Sequence, residues 1–147
     1  MLTDTQIMMR LFLSVILGGL IGIERQMHRR SAGLRTHILV SLGSCLIMLT
    51  SLYVFDIYKK EATLDPARIA AGVITGIGFL GAGAIIRDRE GIKGLTTAAS
   101  LWVVAGIGLA LGCGFYNAGI FTTILSLIVL LFLRYIEAKL FAKEEKQ

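Results

Sequence analysis

Glu24 and Arg25 follow an apolar stretch, Arg35, Thr36 and His37 come shortly after, and Arg87, Thr96 and Thr97 lie far downstream. A carboxylate, three guanidiniums and threonine hydroxyls could form one ion-paired network able to receive an anionic group such as a lipid headgroup or a partner's carboxylate. Other chemistry finds less support. The only histidines, His28 and His37, sit in no recognisable pattern with an acid and a nucleophile, so no enzyme is expected. Magnesium favours several oxygen ligands including carboxylates, whereas Glu24 is the only carboxylate expected near a helical core and is crowded by arginines; no metal or cofactor is expected. Asp56, Glu61 and Asp65 read as a solvated loop, and Cys45 and Cys113 as structural thiols.

Gly76-Ile77-Gly78-Phe79-Leu80-Gly81 matches the dinucleotide-binding fingerprint letter for letter. That fingerprint requires a preceding strand and a βαβ unit. Here it lies inside an uncharged run from Ile69 to Ile86, which contradicts a nucleotide site.

Positioning the polar residues falls to long apolar elements. The chain has 147 residues, 55% hydrophobic and 17% charged, with a mean hydropathy of +0.75, which excludes an ordinary soluble enzyme. Thr36 to Phe55 is 20 residues without a charge, Ile69 to Ile86 is 18 and Gly94 to Leu133 is 40. A span needs about 20 apolar residues, so the last run holds two, reversing at Gly112 to Asn117. A first span precedes them, with Arg10 reaching back to headgroups from its end. The expectation is an all-α, polytopic transmembrane bundle of five spans, at 6–24, 36–55, 67–86, 95–111 and 118–136. Residues 1–136 form one domain and 137–147 a short charged tail.

Eleven Lys and Arg residues fall on one side of these spans and four on the other. Basic residues in short loops stay cytoplasmic, which places the N-terminus outside and the C-terminus inside. The net charge of +5 thereby serves topology, not nucleic-acid binding. The segment before the first span lacks the basic start of a cleaved signal peptide.

Seventeen glycines need a reason in a membrane bundle, and close helix approach supplies one. Gly18 and Gly22 on span one, and Gly72 and Gly76 on span three, are four apart. Ala71, Thr75, Gly78 and Ala82 extend a small-residue stripe. Spans one and three should therefore pack centrally, against each other or a second copy, with packing favoured over a break at Gly76 to Gly83. Spans two and four begin at the cytoplasmic interface near Thr36 and Thr96, and Glu24 should be paired there with Arg25, Arg35 or Arg87.

Four segments in order resemble the motifs of the MgtC/SapB family: Gly18-Gly19-Leu20-Ile21-Gly22-Ile23-Glu24-Arg25-Gln26, Ala32 to His37, Gly76 to Gly83, and Gly94 to Trp102. The likeness covers about Ile7 to Tyr135. It implies a bacterial inner-membrane protein linked to magnesium homeostasis, acid tolerance and virulence. Such a protein would act as a non-enzymatic regulator on membrane partners such as ATP synthase; the small-residue faces themselves point to a homodimer, and the apolar spans to contact with membrane lipids. A small magnesium or proton transporter is the alternative. The motif residues Gly78, Gly81, Gly83, Gly94 and Trp102 join the helix-packing set by this likeness. Longer members carry a soluble C-terminal module that this sequence lacks, so it resembles the minimal membrane form.

Overall fold

The computed structural model describes residues 2–60, 65–89 and 91–141. Helix α1 (Asp4–Met27) opens with a capping box, in which the Thr3 hydroxyl accepts from the Gln6 N–H while the Gln6 side chain accepts from the Thr3 N–H. Then come α2 (Leu34–Tyr58), α3 (Pro66–Ala84), strands β1 (Ile86–Asp88) and β2 (Gly91–Lys93), α4 (Leu95–Cys113) and α5 (Tyr116–Ile128). A π-helical stretch (Val129–Leu133) and α6 (Arg134–Phe141) continue the last helix. Among the described residues five helices are long and apolar enough to cross a membrane, the fifth running Tyr116–Ile136. The end of the bundle that holds the 28–33 connection and the β1–β2 hairpin is called the basic end, and the other the far end.

Helix starts follow local chemistry. Asp65 caps α3 by accepting from the Ala67 N–H, with Pro66 in the first turn, where its missing N–H costs nothing. Gly94 precedes α4 at φ 92°, and a side chain there would strike the Ala84 carbonyl, so only glycine lets the hairpin lead directly into the helix. The antiparallel hairpin, pairing Ile86 with Lys93 and Asp88 with Gly91, replaces the end of span three expected at 86. Charged residues at 87, 89 and 93 hid its strand character.

The centre of the bundle differs from expectation: α2 and α4 form it, flanked by α1, α3 and α5, and α3 packs on α2 and α4 rather than on α1. Gly18 and Gly22 do bring α1 onto α2. A Cβ on Gly18 would stand 2.7 Å from that of Ser41, and one on Gly22 would stand 2.8 Å from the Leu34 Cα. On α4, Gly108 and Gly112 make the equivalent approach to α2, where a Cβ would meet those of Ser44 and Met48 at 2.8 and 2.6 Å. By contrast Gly72, Gly76, Gly78 and Gly83 have no such neighbour within 4 Å, and Gly81 touches only Ala98. Trp102 keeps more than half of its surface exposed on the outside of α4. The α3 helix is nevertheless continuous through Gly76 to Gly83. An apolar core of Leu17, Ile21, Cys45, Leu49, Val104, Ile107 and Leu111 fills the space among α1, α2 and α4.

Candidate functional site

Two polar clusters lie at opposite ends of that core. At the basic end Glu24, in the last turns of α1, is 5% exposed and forms a buried ion pair with Arg25 Nε. Neighbouring residues on a helix point in different directions, so the pair depends on Arg25 folding back and using Nε, the donor nearest the backbone. His28, one turn on, places Nδ1 2.8 Å from Glu24 Oε1 and 2.8 Å from the Glu24 carbonyl. The ring is directed at the carbonyl, which leaves Oε1 buried without a well-aligned hydrogen bond.

His37, fully buried on α2, continues the cluster. Its Nδ1 lies 2.9 Å from the Gly33 carbonyl and its Nε2 3.0 Å from the Ser100 hydroxyl, which itself donates to the Thr97 carbonyl at 2.8 Å. A neutral imidazole donates from one nitrogen only. With Nδ1 donating to Gly33, Nε2 is an acceptor, and the single Ser100 proton serves either Nε2 or Thr97. The cluster therefore clamps α2 to α4 while α1 supplies the charge.

Not all of the expected residues meet there. Thr97 is buried and enters through its carbonyl. Arg35, Thr36, Arg87 and Thr96 are exposed. Among the described residues neither Arg35 nor Arg87 pairs with Glu24. Arg35 and Thr36 lie at the start of α2 on a different side from His37, and Arg87 projects from the hairpin. Sequence depth placed all these groups at one level, but helical rotation separates them around the bundle.

The far-end cluster was not anticipated. Arg10 is 8% exposed instead of reaching to headgroups: Nη1 donates to the Gly112 carbonyl at 2.7 Å and Nε to the Tyr116 hydroxyl at 3.1 Å. The guanidinium also stands over the Tyr116 ring, 5.8 Å from its centre. It thereby caps the carbonyl end of α4, where the helix dipole favours a cation. The sequence signal was present, since an arginine inside an apolar helix calls for an acceptor and the end of α4 offers several. Nearby, the Ser51 hydroxyl donates to the Pro66 carbonyl and ties α2 to α3. Of the outer acidic residues, Asp56 pairs with Lys59 and Asp65 is the α3 cap, while Glu61 lies outside the described residues. Among the described residues no three His, Cys, Asp or Glu side chains group as a metal site would require. Both cysteines are free, Cys45 buried and Cys113 exposed.

These features can be set beside known proteins. No solved structure matches the chain. The chain is 49% identical to a protein named putative magnesium transporter YhiD of Escherichia coli K12, over 85% of this chain and 59% of that protein. It is 42% identical to protein MgtC of Salmonella typhimurium LT2, over 86% and 52%, and 37% identical to protein SapB of Bacillus subtilis, over 93% and 60%. The chain thus spans between half and three fifths of the length of these relatives. The MgtC family model matches residues 11–139, a stretch that takes in the Glu24 cluster and all but the first turns of the helical bundle, and the chain belongs to the MgtC family.

Proposed function

We propose that this protein is a non-enzymatic regulator in a bacterial inner membrane, acting by contact with a membrane-protein partner when magnesium is scarce or acid stress is present. The observation that carries the reading is the outward face of α3. Ala71, Thr75, Gly78 and Ala82 recur at three- and four-residue spacing and are all exposed, and nothing lies within 4 Å of a Cβ placed on Gly78. In lipid such faces gain their energy from close contact with another helix. The Thr75 hydroxyl is already turned back onto the Ala71 carbonyl, leaving a small and smooth surface. A second copy of the chain is the other helix this face would accept. The likeness to a protein named putative magnesium transporter YhiD supplies the magnesium connection, and the uneven basic residues support an N-terminus outside and a C-terminus in the cytoplasm.

A photo-crosslinker at position 78, in membranes from magnesium-limited cells, tests the reading. It predicts adducts with a distinct membrane protein or with the chain itself, and loss of low-magnesium growth support in Gly78→Leu. Absence of adducts, with growth support intact in Gly78→Leu, would refute it. A transporter reading draws on the likeness to a protein named putative magnesium transporter and on the buried polar groups Ser14, Ser41, Ser44, Cys45 and Ser51, of which Ser41 Oγ is unpartnered. Ser14 and Ser44 instead donate to Leu11 and Val40 of their own helices, and the ionised groups of the two clusters stand at opposite ends of the apolar core. Magnesium or proton flux into liposomes that disappears in Glu24→Ala would reverse the order of the two readings.

A further inference from the structure

Two cavities of different character meet at Arg35 and Thr36. One, about 600 Å³, has a mixed polar and apolar lining and lies at the basic end among Gln26, Ser31, Gly33 and the start of α2. The other, about 660 Å³, is an apolar groove between α2 and α3 lined by Leu39, Val40, Gly43, Ile47, Gly72 and Gly76, with Arg35 and Thr36 at its mouth. We propose that the groove holds an acyl chain of an anionic phospholipid whose phosphate sits on Arg35 and Thr36.

The dimensions favour a lipid over a helix. From Arg35 to Ile47 the helix advances about 18 Å at 1.5 Å per residue, little more than half of the ~30 Å of hydrocarbon, so the groove has the depth of one leaflet. A helix that crossed the membrane would run the full ~30 Å, past the end of the groove, whereas the groove of about 660 Å³ takes a thin flexible chain. Its width comes from Gly43, Gly72 and Gly76, each of which has open space where a Cβ would stand.

Charge supplies the second part of the argument. Arg35 is exposed and forms no ion pair among the described residues, and the Thr36 hydroxyl makes no hydrogen bond among them. A guanidinium matches a phosphate with two parallel N–H donors, which a zwitterionic headgroup engages less well because its own cation competes. An anionic head joined to an apolar tail is the ligand that fills a cavity of mixed lining and an apolar groove sharing Arg35 and Thr36. The site faces α2, on the side of α3 away from Gly78 and Ala82, so the two faces can be occupied independently.

The test is native mass spectrometry of the purified protein with phosphatidylglycerol or phosphatidylcholine, alone and with excess inorganic phosphate. The wild type is expected to retain phosphatidylglycerol over phosphatidylcholine by at least about fivefold, the attraction one basic residue contributes at an anionic surface. Arg35→Gln should erase that preference. Gly76→Leu should lower retention of both lipids while leaving the thermal unfolding transition in place, because the added side chain enters open space. Equal retention of phosphatidylglycerol in wild type and both variants would overturn the proposal. So would displacement of the lipid by inorganic phosphate, which indicates a bare anion site, or lipid-free protomer pairs that dissociate in Gly76→Leu, which indicates a second copy in the groove. None of these readouts depends on a regulatory partner.

Discussion

At the scale of single residues the decisive quantity is the cost of leaving a charge alone in a buried place. Glu24 and Arg25 are both nearly inaccessible, so removing either partner should destabilise the fold by about 3 kcal/mol. Replacing both with apolar residues, as in Glu24→Leu with Arg25→Met, should cost less than either single change, because no orphaned charge remains. Equilibrium unfolding in detergent for the two singles and the double measures this; additive losses would contradict a direct pair. Arg10→Met should likewise lose about 2 kcal/mol, the worth of charged hydrogen bonds to the Gly112 carbonyl and Tyr116, and Tyr116→Phe a smaller part. The burial and pairing of Glu24 could be read from sequence, because a carboxylate at a helix carbonyl end near the membrane boundary must find a cation. Which cation it finds was not legible. That depends on the rotation of each helix about its axis, which placed Arg35 and Arg87 outside the cluster and drew His28, His37 and Ser100 into it.

Among the helices the same residue type has opposite meanings in different places. Gly108 lies where α4 crosses α2, with the Ser41 carbonyl and the Ser44 side chain against it, whereas Gly78 looks out from α3 into empty space. Gly108→Leu should therefore wedge the central pair apart and lower the melting temperature sharply, by an overpacking cost of about 1–3 kcal/mol or more. Gly78→Leu should leave the melting temperature of the isolated protomer unchanged and act only on association. Thermal unfolding in dilute detergent compares them directly, and equal destabilisation would show that α3 is more enclosed than its open glycine face implies. Uncharged length revealed the spans, since hydrocarbon imposes it on any helix that crosses. Helix neighbours were less legible. Small-residue spacing on α3 predicted a face packed against span one or a second copy, whereas within the protomer that face is open, and the glycines of α4 that do meet α2 are concealed in an evenly apolar run.

Across the whole molecule, orientation is the property on which any account of its partners depends, and the chain carries its own reporter of it. Cys45 is fully buried in the core, while Cys113 is exposed at the end of α4. Cys113 lines a cavity of about 540 Å³ at the far end together with Asp4, Arg10 and Asp56. Carboxylates at its rim place this cavity at the water boundary, within reach of a water-soluble thiol reagent. The basic residues, concentrated at the other end, favour retention of that end in the cytoplasm and so set Cys113 outside. A membrane-impermeant maleimide applied to intact spheroplasts should therefore label the wild-type chain at one thiol, and Cys113→Ser should abolish the signal. Inverted vesicles should label only after permeabilisation. The reverse pattern would turn the molecule over, moving the Glu24 cluster and the mouth of the α2–α3 groove to the outer leaflet. Substituting Arg29, Arg30, Arg87 and Arg89 by Gln would then separate cause from correlation: if these charges fix the orientation, the fraction labelled in spheroplasts should fall while the buried clusters, which use none of the four, keep the fold intact.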